Sequence, residues 1–152
     1  AVSYTTALDE ILGVGGDLTL STAWTWTNEW VLDGTDYAGT FSFDWFTFPD
    51  WKGNIRATYE NGPVTFSWRW RYTSNVNQNF TTSLARTFGG SEYHDVTALY
   101  RPADGVELSL QVENLFDTEP EQYTGNNIQS NTDPLIHDVV GRFFRVGVNA
   151  EF

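Results

Sequence analysis

A side-chain period of two recurs along this sequence, and that period restricts a chain to strands lying between an apolar and a polar environment. It is cleanest over Val64–Thr73, where Val64, Phe66, Trp68, Trp70 and Tyr72 share one face and Thr65, Ser67, Arg69, Arg71 and Thr73 the other. Residues 17–30 set Leu18, Leu20, Trp24, Trp26 and Trp30 against Thr19, Ser21, Ala23, Thr25, Thr27 and Glu29, with Thr22 and Asn28 as local lapses. Residues 53–60 oppose Ile55, Ala57 and Tyr59 to Asn54, Arg56, Thr58 and Glu60. Residues 105–116 oppose Val106, Leu108, Leu110 and Val112 to Glu107, Ser109, Gln111 and Glu113. With 2–8, 92–101 and 140–152, the pattern predicts an all-β chain of about seven antiparallel strands.

The connections are of two kinds. Asn61-Gly62-Pro63 and Pro102-Ala103-Asp104-Gly105 are tight-turn sequences. Residues 33–50, 75–91 and 117–139 are instead long, rich in Gly, Asn, Thr and Asp, and exceed what a compact soluble domain ordinarily carries. Short turns at one end, long loops at the other and strands of about 9–11 residues describe a transmembrane β-barrel of the outer-membrane type. Trp24, Trp26, Trp30, Trp51, Tyr59, Trp68, Trp70 and Tyr72 lie toward strand ends, where a headgroup-level girdle of rings would sit. On this reading Phe66, Trp68, Trp70, Leu108, Leu110, Val146 and Val148 face lipid and stand exposed in the chain alone. No run approaches the roughly 20 apolar residues of a spanning helix, since 138–148 is broken by Gly141, Arg142 and Arg145. An open set of about seven strands in lipid would leave two edges of unpaired backbone groups, so the chain is expected to be a piece of a larger barrel. Residues 1–10 lack the basic start and apolar core of a secretion signal, so the start is expected to be either processed or cut from a longer chain.

Charge narrows the partners. A formal net charge of -12, with Lys52 the sole lysine, speaks against a nucleic-acid partner, because phosphates require clustered Lys and Arg. The acids gather in the long loops as a solvated surface: Asp33, Asp36, Asp44 and Asp50 in one, and Asp117, Glu119, Glu121, Asp133 and Asp138 in another. Absence of cysteine removes disulfide and thiol chemistry. His94-Asp95 and His137-Asp138 invite a metal or catalytic reading, because a carboxylate can orient an imidazole. Adjacent strand residues face opposite ways, however, and no further ligand or nucleophile accompanies either pair. The expectation is no enzyme, no cofactor and no metal.

The segment Val112-Glu113-Asn114-Leu115-Phe116-Asp117, then a loop, then Gly141-Arg142-Phe143-Phe144-Arg145-Val146-Gly147-Val148-Asn149-Ala150-Glu151-Phe152, resembles the C-terminal end of TonB-dependent receptors. In that family the penultimate strand ends in Asn-Leu-Phe/Thr-Asp, and the last strand opens with Gly-Arg plus an aromatic and stops on an aromatic. Pro49-Asp50-Trp51-Lys52-Gly53-Asn54-Ile55-Arg56 is also similar to the family's late barrel hairpins.

The resemblance implies a barrel of about 22 strands in the bacterial outer membrane, of which this chain is the C-terminal portion. It further implies uptake of a scarce nutrient, an iron-siderophore, cobalamin or oligosaccharide. The plug domain that contacts the TonB complex lies outside these residues. Outer-membrane lipid, the barrel-assembly machinery, the rest of the barrel and the imported small-molecule ligand are the implied partners. Phe144, Val146, Val148, Ala150 and Phe152 then form the assembly signal. Arg56, Arg69, Arg71, Arg101, Glu107, Glu113 and Arg145, all on polar strand faces, line the lumen. Phe41, Phe43, Trp45 and Phe46 in one loop, and Tyr123, Asn126 and Asn127 in another, are ligand candidates, since rings plus amides suit a sugar or an aromatic chelator. A soluble β-sandwich carbohydrate-binding module would also explain Trp-rich alternation with acidic loops, and folding as a monomer without detergent would distinguish it.

Overall fold

The structure, a computed structural model, describes residues 1–42, 46–78, 87–122 and 132–151. In chain order its elements begin with β1 (Val2–Ala7), α1 (Asp9–Leu12), β2 (Asp17–Trp26), β3 (Val31–Leu32), β4 (Thr35–Asp36), β5 (Thr40–Ser42) and β6 (Phe46–Phe48). They continue with β7 (Trp51–Asn61), β8 (Val64–Thr73), β9 (Val76–Gln78), β10 (Thr87–Phe88), β11 (Ser91–Ala103), β12 (Val106–Glu113) and β13 (Phe143–Ala150). Among the described residues the chain is all-β apart from the single turn of α1.

One seven-stranded sheet runs β1-β2-β7-β8-β11-β12-β13, antiparallel throughout and in chain order. Its register carries the alternation from strand to strand. Tyr59 faces Phe66, Phe66 faces Ala98, Ala98 faces Leu110 and Leu110 faces Val146, which makes one continuous apolar face. A one-residue slip of any strand would turn its rings onto the charged side, so the pattern itself holds the register. Gly53 leaves the one gap opposite Trp24, and the indole lies over it: a Cβ at Gly53 would stand 2.3 Å from a ring carbon. An aromatic covering a cross-strand glycine restores contact where the strand offers no side chain.

This apolar face is open. Val146 and Val148 are 76% and 71% exposed, and Phe66, Leu108 and Leu110 are exposed as well. Trp68 and Trp70 are half-buried, which corrects the expectation of full exposure. Their neighbours are the reason: Trp70 meets Trp24 edge-on at 5.9 Å and Tyr72 at 5.7 Å, while Trp68 stacks on His94 at 5.6 Å.

The hydrophobic core sits elsewhere. Phe41, Val76, Phe88 and Ile136 form a buried cluster above one end of the sheet, where a four-stranded sheet of order β10-β9-β5-β6 caps it. The segments 33–50 and 75–91, expected as free polar loops, thus pair with each other, β5 lying parallel to β9. Backbone groups held close to a packed sheet need partners, and each loop supplies them to the other. Asp33 (φ 51°) and Gly34 (φ 79°) turn the β3–β4 hairpin, the left-handed pair that a two-residue hairpin demands. Accordingly β2 stops at Trp26 rather than Trp30, and Trp30 stacks on Phe48 of the cap at 4.7 Å.

Among the described residues, the connections at the opposite end are short, residues 8–16, 62–63 and 104–105. Two of them are tied to neighbouring strands, Arg101 N–H of β11 donating to Pro63 O at 2.9 Å and Glu151 N–H, just after β13, to Gly105 O at 2.8 Å. All the long connections therefore gather at the capped end.

Candidate functional site

The polar face of the sheet carries one organised cluster. Cross-strand register places Ser21, Arg56, Arg69 and Asp95 in a row across β2, β7, β8 and β11. Asp95 is 3% exposed and accepts from five donors. Arg69 approaches through Nη2 at 2.7 Å and Nε at 2.9 Å, Arg71 through Nε at 2.8 Å and Nη2 at 3.0 Å, and the Asn114 backbone N–H at 3.1 Å. A carboxylate this buried persists because every lone pair is used. The Arg71 guanidinium also lies 5.0 Å over the Tyr93 ring, which fixes its plane.

Residues 132–139 fold back over this cluster as a roof. Ser91 Oγ donates to Ile136 O at 2.7 Å, the Asp138 N–H donates to the Tyr93 hydroxyl oxygen at 2.9 Å, and Arg71 pairs with Asp138 at 3.7 Å. Lys52 Nζ reaches Leu135 O at 3.4 Å, and the Thr47 hydroxyl donates to Asp133. Between roof and sheet is a cavity of about 700 Å³, lined among others by Lys52, Arg56, Arg69, Arg71, Tyr93 and Asp138.

His137 is buried in the roof, and burial pushes its imidazole below the ordinary histidine range, against the upward pull of Glu121 and Asp133. The folded chain therefore binds this proton less readily than the unfolded one. Stability attached to the neutral ring is complete above about pH 6.5 and is lost as pH falls through that value toward the folded pKa. Hydrogen exchange of the 132–139 amides, corrected for intrinsic rate, should accelerate between about pH 7.5 and about pH 5.5. His137→Gln should remove that step, and an unchanged profile in the variant would assign it to another group.

The two segments that carry the family resemblance touch each other. Asn114, fully buried with φ 52°, donates Nδ2–H to Thr118 O at 3.0 Å and accepts the Thr118 N–H on Oδ1 at 2.8 Å, closing the bend after β12. Asp117 (φ 56°) then accepts the Arg142 backbone N–H at 3.0 Å and pairs with its guanidinium at 3.4 Å. Gly141 turns the chain there with φ 75°. Thus the Asn-Leu-Phe-Asp and Gly-Arg segments form one joint that sets β13 beside β12.

No family model, curated protein or solved structure matches the chain.

Arg56, Arg69, Arg71, Arg101, Glu107, Glu113 and Arg145 all lie on the polar face. The structure brings Arg69 and Arg71 together on Asp95, pairs Arg101 with Glu107 at 2.9 Å near the short turns, and sets Arg145 3.8 Å from Glu113. Arg56 makes no ion pair or side-chain hydrogen bond among the described residues. Phe144, Val146, Val148 and Ala150 lie exposed on the apolar face of β13. Phe41 does not offer its ring to a ligand: it is 4% exposed, packed edge-on against Phe88 at 5.1 Å. Phe46 begins β6. Phe43, Trp45, Tyr123, Asn126, Asn127 and Phe152 lie outside the described residues.

His94 and Asp95 do face opposite ways. His94 sits on the apolar face, where its Nδ1 accepts from Trp68 Nε1 at 3.2 Å and Phe116 meets it edge-on at 5.0 Å. Sequence reasoning missed Asp95 as an ion-pair centre, along with Tyr93, Asn114 and the roof. The signal for Asp95 was present: aligning 92–101 antiparallel against Val64–Thr73 puts it on the arginine side.

Proposed function

We propose that this chain is the C-terminal part of the transmembrane barrel of a TonB-dependent receptor in the bacterial outer membrane, a transporter of a scarce nutrient. The observation that carries the reading is the open apolar face spanning all seven strands of the sheet. Removing a Val, Leu or Phe side chain from water is worth about 1.5–3 kcal/mol, which a soluble fold would forgo at each such position and a bilayer recovers. The face behind it carries the buried ion pairs, as a lumen wall would. β1 and β13 are sheet edges, and further strands of the same protein would satisfy their backbone groups in lipid. The joint between the Asn114 and Arg142 segments gives the family resemblance a structural reason. A plug domain reaching the TonB complex, the barrel-assembly machinery and an imported iron-siderophore, cobalamin or oligosaccharide follow from that resemblance.

A soluble β-sandwich module would need its apolar face covered, and Val2, Leu110, Val146 and Val148 are uncovered. Because the strands reverse in turn, the capped end faces the outside and the short turns the periplasm. Cysteines placed singly at Glu29 and Glu119 should react with an impermeant thiol reagent on whole cells. One at Asp104 should react only after the outer membrane is permeabilised. Labelling of Asp104 on intact cells, with Glu29 and Glu119 protected, would reverse the topology, and equal labelling of all three would remove the membrane reading.

A further inference from the structure

We propose that the cavity between the polar sheet face and residues 132–139 binds a small solute carrying at least two anionic oxygen groups, carboxylate or phosphate. The proposal deepens the uptake reading by naming the chemistry of its solute, and rests on that reading only for how the solute arrives.

Charge is concentrated here against the trend of the chain. Of eight basic residues in a sequence of net charge -12, four line this one cavity: Lys52, Arg56, Arg69 and Arg71. Asp95 and Asp138 pair with Arg69 and Arg71, and Glu113 acts on Arg71 at longer range. The surplus positive charge lies on Lys52 and Arg56, which hold no carboxylate among the described residues.

The register makes that surplus costly. Arg56 and Arg69 are direct cross-strand partners, and like charges directly opposite destabilise a sheet. Asp95 relieves Arg69 from its far side only, since it is the partner of Arg69 on β11. Arg56 is exposed and holds no ion pair among the described residues, and Lys52 holds none among them either, its Nζ donating to the Leu135 carbonyl. An anionic oxygen group between Arg56 and Arg69 turns the repulsion into two charge-assisted hydrogen-bonded contacts, for which the planar guanidinium is suited. Lys52, on the same face of β7, offers a second positive centre, so a solute with two anionic groups uses both. Asn54 and Thr73 add neutral polar side chains to the lining, and the Tyr93 ring holds Arg71 in place.

The test is calorimetric titration of the full-length protein in detergent micelles with pyrophosphate, succinate and, as an uncharged contrast, maltose. Pyrophosphate, succinate or both should bind, and maltose should not. Which of the two binds tells phosphate from carboxylate. Arg56→Gln should weaken binding about tenfold or more, Arg56→Lys by less, and Arg142→Gln not at all. Arg56→Gln should not lower the thermal midpoint, because it breaks no ion pair and removes a repulsion, so a binding loss cannot be put down to misfolding. Raising salt from about 0.05 M to about 0.5 M should weaken binding further. Failure of both anions to bind the unaltered protein would overturn the proposal and give the cations to a carboxylate from elsewhere in the protein or to water. Unchanged affinity in Arg56→Gln would overturn it equally. Neither result would alter the whole-cell labelling pattern, so the transporter reading would stand or fall separately.

Discussion

Replacement of Asp95 by Ala is expected to lower the unfolding free energy of the full protein by about 3 kcal/mol, read from urea transitions followed by tryptophan fluorescence. The carboxylate holds two guanidinium groups and a backbone N–H on the polar face. Removing it strands all three. The figure is placed at the lower end of the range for a broken buried pair because the Arg69 and Arg71 side chains are 33% and 32% exposed and can turn to water. Asp95→Asn should cost less, since it keeps an acceptor for the Asn114 N–H while losing the charge. Both variants add one net positive charge to the cavity, so pyrophosphate affinity should rise while stability falls. Unfolding alone cannot produce those opposite signs. A wild-type urea midpoint in Asp95→Ala would mean that the arginines are already hydrated and that the carboxylate organises nothing.

Asn114→Ala is expected to cost a comparable amount, about 3 kcal/mol, for two separate reasons. Two hydrogen bonds to Thr118 are lost from a fully buried side chain, each worth about 1 kcal/mol or more once its partner is left unsatisfied. The backbone at φ 52° adds about 1 kcal/mol of strain for alanine, where asparagine sits with little cost. Asn114→Gly separates the two, because glycine recovers the backbone part and leaves the hydrogen-bond part lost. If the Gly and Ala variants unfold at the same urea concentration, conformational strain plays no role at this bend. Asn114 and Asp95 are also joined through the Asn114 N–H, so the Asn114→Ala/Asp95→Ala double variant should be less destabilised than the sum of the singles by about 0.5 kcal/mol or more. Additive losses would show that the bend and the ion-pair cluster are independent.

These two residues explain why the Asn-Leu-Phe-Asp segment stands out in the sequence at all. It begins with a side chain that tolerates the left-handed region, closes its own bend, and presents a backbone donor to a buried carboxylate. It ends with Asp117, which grips Arg142 just before the final strand. The segment is a joint between strands and also a support for the polar cluster.

The seven strands of the large sheet, their order and the sorting of their side chains onto two faces were readable directly, because a period of two persists for eight or more residues in most of them; the six short strands β3, β4, β5, β6, β9 and β10 were not. Arg56, Arg69 and Arg71 were placed on the polar face by the same parity. The loops are less legible. Asp33-Gly34 is a recognised hairpin signal and marks β3–β4, yet β5, β6, β9 and β10 have no more than three residues each, too few to display a period. Phe41 among Gly, Thr and Ser looked available to a ligand and is instead core, because Val76, Phe88 and Ile136 arrive from segments far along the chain.

Alternation by itself determined that this chain makes a meander with one greasy and one charged face, since parity along a strand is local and no partner is needed to set it. Only the tertiary structure decided which charges neutralise one another and which are left over. Asp95 could have answered any arginine on its face, and Arg56 could have found a carboxylate in any loop. Register put Asp95 beside Arg69, chain reversal brought residues 132–139 over β7, β8 and β11, and pairing between distant loops drew Phe41 inside. Each of those outcomes depends on distance in space between residues widely separated along the chain, and the strength of an ion pair or an apolar contact follows that distance, which no local period encodes.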